Sequence, residues 1–119
     1  MRVTEFMPWI LRVKEEFSAA HYLPDYEGKC EALHGHNYAV EVFIAAENLC
    51  KGGIAHDFAG IRTRLREIMP DHRLLNDILE NPSAELIARY IYEKLRPFYP
   101  GLVRVVVWEN ERQGAEYQE

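Results

Sequence analysis

An α+β domain of element order ββααββ is what this chain predicts, with two helices covering one face of a four-stranded antiparallel sheet. Three observations carry that expectation. Apolar residues alternate with polar ones over positions 9–21 and again over 34–45, the period of a half-buried strand. Two stretches between residues 57 and 95 carry apolar residues at helical spacing, separated by Pro70 and by Asn81-Pro82-Ser83. A β-branched run then fills Leu102 to Glu109, and a turn-like Asn110 to Gln113 leads into a last extended segment, Gly114 to Glu119.

In the first strand Leu11, Val13, Phe17, Ala19 and His21 share one face, and Arg12, Lys14, Glu16 and Ser18 the other. Glu15 is the exception on the apolar side. Pro24 to Gly28 reads as a loop, and the second strand starts near His34, its even positions from His36 through Tyr38, Val40 and Val42 to Ile44 forming the more apolar face. Gly52-Gly53 gives the next turn its backbone freedom. Asp57 caps a helix from Phe58 to about Met69, on which Phe58, Ile61, Leu65 and Ile68 form the stripe. A loop over residues 71–77 comes next. Ser83 caps the second helix, whose stripe is Leu86, Ile87, Tyr90, Ile91 and Leu95, and Pro97 and Pro100-Gly101 end it. In the third strand Val103, Val105, Val107 and Glu109 share a face, which leaves a carboxylate at the strand's end.

A chain of 119 residues is one domain with one modest core. Its net charge of -5 argues against nucleic acid as a partner, because phosphate binding needs a surplus of Lys and Arg. The apolar run Phe6 to Leu11 is broken by Arg12 and Lys14-Glu15-Glu16 before it could serve a signal peptide, and nothing later approaches the ~20 apolar residues of a membrane span. The chain is therefore expected in the cytoplasm, with no membrane partner and with Cys30 and Cys50 as thiols.

The chemistry centres on Cys30-Glu31-Ala32-Leu33-His34-Gly35-His36-Asn37-Tyr38. On a strand, His34 and His36 project from one face with Cα atoms roughly 7 Å apart, close enough to grip one ion. Pairing the first two strands antiparallel brings His21, at the end of the first, towards both. Three imidazoles suit zinc, with a fourth position open to water or substrate.

These residues, together with Phe17-Ser18-Ala19-Ala20-His21, Asp57-Phe58, Asp71-His72, Leu75-Asn76, Pro82-Ser83-Ala84-Glu85 and Glu109, resemble the 6-pyruvoyltetrahydropterin synthase and 6-carboxytetrahydropterin synthase group of tunnelling-fold enzymes. The matching pieces occur in family order and span nearly the whole chain. The resemblance implies Zn2+ held by His21, His34 and His36, Cys30 as the base that moves side-chain protons, Asp71 and His72 as its relay partners, and Glu109 as anchor of the pterin ring. A carboxylate accepts two N–H bonds from a 2-amino-pyrimidinone edge, a strong and directional contact. The implied substrate is 7,8-dihydroneopterin triphosphate, and the implied assembly is a hexamer built as a dimer of trimers. His56 matches no role.

The three-residue gap between Cys30 and His34 looks like the carboxy branch, which releases acetaldehyde on the route to queuosine. Glu31, directly after Cys30, resembles members that cleave the side chain to 6-hydroxymethyl-7,8-dihydropterin for folate, so a dual activity is implied. The pyruvoyl branch and a non-catalytic zinc- and pterin-binding ring protein are the alternatives. Ser83 stands where the family often has Thr, and Leu86 where it often has Asn, which leaves the cap intact but puts a side-chain contact from this turn to the pterin in question. Lys29 is the candidate for phosphate contact.

Overall fold

The computed structural model describes residues 6–24 and 31–119. Strand β1 (Trp9–His21) leads into β2 (His34–Ala46), then helix α1 (Phe58–Ile68), a two-residue strand β3 (Arg73–Leu74), a single 3-10 turn (Leu75–Asp77), helix α2 (Ala84–Leu95), β4 (Leu102–Trp108) and β5 (Gly114–Gln118). The sheet order is β3-β1-β2-β4-β5, with β3 parallel to β1 and every other pairing antiparallel. The sheet thus has five strands in a mixed arrangement rather than the four antiparallel strands expected. The extra strand is a stretch of the 71–77 connection that pairs by backbone alone, so it has no side-chain period to betray it.

Register explains how alternation becomes a core. Val13 lies opposite Val42, Phe17 opposite Tyr38, and Val40 opposite Val107, so odd positions of β1 and β4 share a face with even positions of β2. That face meets Ile61 and Leu65 of α1 and Ile87, Ile91 and Leu95 of α2 in one buried cluster. Truncating one of these leucines or isoleucines to alanine would cost about 2–5 kcal/mol. Asp57 accepts the Ala59 N–H at 3.1 Å and Ser83 the Leu86 N–H at 3.2 Å, so both expected caps are in place. Phe58 departs from its expected stripe and is 49% exposed, since it occupies the first turn of α1. Tyr92, which the expected stripe leaves out, is buried, its hydroxyl donating to the Leu102 carbonyl oxygen at 3.3 Å.

The register shifts between Phe43 and Ile44, so that Leu102 rather than Val103 lies opposite Ile44 and enters the core. At this irregularity the backbones approach so closely that a Cβ on Gly101 would stand 2.2 Å from the Ala45 oxygen, and only glycine fits. Glu15, the acid on the apolar side, is matched to α1: its carboxylate lies 2.8 Å from Arg66 and 3.9 Å from Arg62. On the opposite sheet face Arg12, Phe43 and Arg104 form one cross-strand row, with the two guanidiniums 5.5 and 4.1 Å from the Phe43 ring centre. Among the described residues no helix is long and apolar enough to cross a membrane.

Candidate metal centre

His21 is the last residue of β1, His34 the first of β2, and the register sets them directly opposite each other. His36 comes two residues later on the same face, opposite Ala19. One ring nitrogen from each of the three lies within 4.8 Å of the others, and His21 Nε2 is 3.0 Å from His34 Nε2. Zinc–nitrogen bonds of ~2.0–2.1 Å on a tetrahedron would set such atoms about 3.3–3.4 Å apart, so the rings stand at ligand spacing.

The remaining hydrogen bonds decide which nitrogens face the centre. His21 Nδ1 is 2.7 Å from the Pro82 carbonyl oxygen, and His34 Nδ1 is 2.7 Å from that of Ala32. A carbonyl can only accept, so each Nδ1 carries a proton and, in the neutral ring, each Nε2 turns a lone pair inward. Two facing lone pairs repel unless a cation or proton lies between them. His36 Nε2 is buried with no hydrogen-bond partner among the described residues. Burial, reinforced by the two neighbouring rings and opposed by Glu109 and Glu31, holds the His36 pKa below its usual 6.5, which favours the neutral ring that a metal requires. The donor set thus fits a divalent ion of zinc's preferences.

Two carboxylates flank the rings. Glu109 comes immediately after β4 and keeps its alternation, placing Oε2 3.9 Å from His21 Nε2, while Oε1 accepts the Gln113 Nε2–H at 3.0 Å. Glu31 donates its backbone N–H to the Leu23 oxygen at 2.9 Å, and its buried Oε1, 3.9 Å from His34 Nε2, has no hydrogen-bond partner among the described residues. Beneath them Tyr38 stacks on Phe17 at 4.9 Å and meets the His36 ring edge-on at 5.3 Å. Its hydroxyl is buried without a hydrogen-bond partner among the described residues, and burial together with Glu109 and Glu31 pushes its pKa far above the usual 10.0, so it stays protonated.

A hollow of about 480 Å³ opens beside the rings, lined in part by His34, His36, Glu31, Glu109, Ser83 and Glu85. The expected zinc ligands, Glu31, Glu109 and Ser83 are therefore brought together. Ser83 spends its hydroxyl oxygen on the α2 cap. Glu85 has no expected role in the site beyond its place in a motif, being otherwise expected as an exposed residue of the second helix; its position two residues after a cap that reaches the hollow is the signal the sequence offers for it. Pro82 and Gln113 act through a backbone oxygen and a turn contact, for which the sequence carries no signal.

Asp71 and His72 stand elsewhere. Asp71 Oδ1 accepts the Ser18 N–H at 2.9 Å, its Oδ2 lies 3.0 Å from His72 Nδ1, and the His72 N–H donates to the Ser18 oxygen at 2.6 Å. His72 is 82% exposed and holds a left-handed φ of 57°. The Ser18 N–H bond is the main reason the Asp71 pKa lies below its usual 3.8. His72 borders a second hollow of about 510 Å³, lined in part by Ser18, Ala20, Gly35 and Asn37, which alternate with the metal-facing residues, and also by His36, which borders both hollows. Cys30 and Lys29 lie outside the described residues. His56 packs edge-on against Tyr99 at 5.3 Å, in keeping with a structural place.

Residues 10–119 match the sequence profile of 6-pyruvoyl tetrahydropterin synthase. The chain belongs to that family. It is 38% identical over 119 residues to the 6-carboxy-5,6,7,8-tetrahydropterin synthase of Synechocystis, covering 92% of both chains. It is 36% identical over 110 residues to the dihydroneopterin monophosphate aldolase of Pyrococcus furiosus, covering 88% of this chain and 93% of that one. The fold is also that of the Caenorhabditis elegans 6-pyruvoyl tetrahydropterin synthase, with a TM-score of 0.77 at 23% identity over 97% of this chain and 99% of that one. The family is one of enzymes, tetrahydropterin synthases that act as lyases, and in this member the three-histidine group could bind a metal.

Proposed function

We propose that the protein is a zinc-dependent lyase that converts 7,8-dihydroneopterin triphosphate to 6-carboxy-5,6,7,8-tetrahydropterin, releasing acetaldehyde and triphosphate, on the route to queuosine in the cytoplasm. The observation that carries this reading is the convergence of three imidazoles beside two carboxylates that line one hollow. His21, His34 and His36 would hold the zinc, which when bound supplies a Lewis acid for charge developing on a substrate oxygen. Glu109 would accept the N–H groups of the pterin edge with the oxygen that Gln113 leaves free. Cys30 would take the side-chain proton, and Asp71 with His72 would relay it.

Within one chain His72 and the imidazole-side carboxylates border different hollows. That separation supports an assembly in which a neighbour's Asp71–His72 pair completes each site, as in a hexamer made of two trimers. The outer edge of β1 before Ser18 pairs with no strand among the described residues, and such an edge favours association.

A second product has its own support. Glu31 Oε1, beside His34 and without a hydrogen-bond partner among the described residues, would be the base in the hollow for a second reaction, and the similarity to a dihydroneopterin monophosphate aldolase favours side-chain cleavage to 6-hydroxymethyl-7,8-dihydropterin for folate. Incubation with dihydroneopterin triphosphate and mass identification of products separates the carboxy, hydroxymethyl and pyruvoyl outcomes. Unchanged substrate with zinc-loaded protein would instead favour a binding protein, and Glu31→Ala should remove only the hydroxymethyl product.

A further inference from the structure

Leu75-Asn76 belongs to the motifs that define the resemblance, yet no step of the proposed reaction uses it. Asn76 Oδ1 accepts the Tyr22 N–H at 3.0 Å while its Nδ2 donates to the Tyr22 carbonyl oxygen at 2.8 Å. The side-chain amide thus binds one residue's backbone on both its polar groups, as a neighbouring strand would. It continues a rail along the edge of β1: Asp71 and His72 hold Ser18, Arg73 pairs with Ala19, Leu74 with Ala20, and Asn76 holds Tyr22. Tyr22 lies between the ligand His21 and Leu23, which lines the hollow and whose oxygen receives the Glu31 N–H at 2.9 Å.

We infer that Asn76 is the positioning residue for Glu31 and the Leu23 wall of the site, acting through Tyr22. The inference rests on the function proposed above for its kinetic consequence alone. His21 does not depend on this clamp, because the Pro82 oxygen fixes its ring and the pairing with His34 fixes its backbone. Asn76 therefore governs the acid-bearing side of the hollow and leaves the imidazoles in place.

The test compares wild type with Asn76→Ala and with Asn76→Asp, which keeps the size and the acceptor but turns the Nδ2–H donor into a second acceptor facing a carbonyl. Backbone exchange at Tyr22 and Glu31 should quicken at least about 10-fold in both variants. Cobalt affinity, read from its absorption spectrum, should stay within about twofold, and kcat for the hydroxymethyl product, the one assigned to Glu31, should fall about 10- to 100-fold with KM little changed. Cobalt affinity falling in step with kcat would overturn the inference, as would Glu31 exchange at the wild-type rate. A lowered melting temperature with kcat intact would reduce Asn76 to a structural tie and overturn it equally. Exchange and cobalt binding need no turnover, so they decide on Asn76 even if the wild type leaves every pterin unchanged, a result that would sink the proposed function instead.

Discussion

The imidazole cradle and the Asp71–His72 edge sit at the same end of β1, yet they are held in opposite ways. In the cradle His21 is fixed by cross-strand pairing and by the Pro82 oxygen, and His34 by the same pairing and by Ala32. The edge rests on backbone bonds to Ser18 and a left-handed residue, with His72 turned to the outside. The cradle is built to hold its geometry before anything binds; the edge presents a group to whatever comes alongside. The difference fits a preorganised centre on one side and, on the reading proposed above, a docking group on the other, two roles that residue type alone does not distinguish.

The largest effect should come from breaking the cradle. His36→Ala should weaken zinc or cobalt binding at least about 100-fold, beyond what loss of an outer partner costs, as read by titration with either ion. Unaltered affinity would mean that the orphaned Nε2 is no ligand. A smaller effect sharpens the contrast at the edge. His72→Gly relieves the left-handed backbone and should leave stability unchanged or raise it by up to about 1 kcal/mol in denaturant unfolding, while turnover is lost. A stability loss with turnover intact would make the edge structural. The smallest effect is acid titration of Asp71→Asn, which keeps an acceptor for the Ser18 N–H. Because the folded Asp71 pKa lies below 3.8, its contribution is complete above that pH and fades as pH falls through the lower folded value. The stability gap between wild type and variant should therefore close only on that acid limb, and a gap constant with pH would remove the charge from the account.

Legibility in the sequence divides along the same line. Strands β1 and β2, both caps and the three imidazoles were legible because period-two alternation and a shared register act on side chains that the sequence names outright. Strand β3 was not, since Arg73 and Leu74 join the sheet by backbone pairing at an edge and leave no periodic mark. The shift that exchanges Val103 for Leu102 in the core was hidden for a related reason: a β-branched run looks alike in either register. In the site, Glu109 was visible as the last beat of an alternating strand. The holding oxygens of Pro82 and Ala32 were not, because every residue carries such an oxygen and only the folded path selects two of them.

The direct opposition of His21 and His34 has a consequence for how the chain finds its structure. A slip of β1 by one residue against β2 would send His21 to the far side of the sheet and bury Lys14 where Val13 belongs. An ion captured by all three rings would add its binding energy to the native alignment and to no neighbouring one, so the metal would proofread strand pairing as well as serve catalysis.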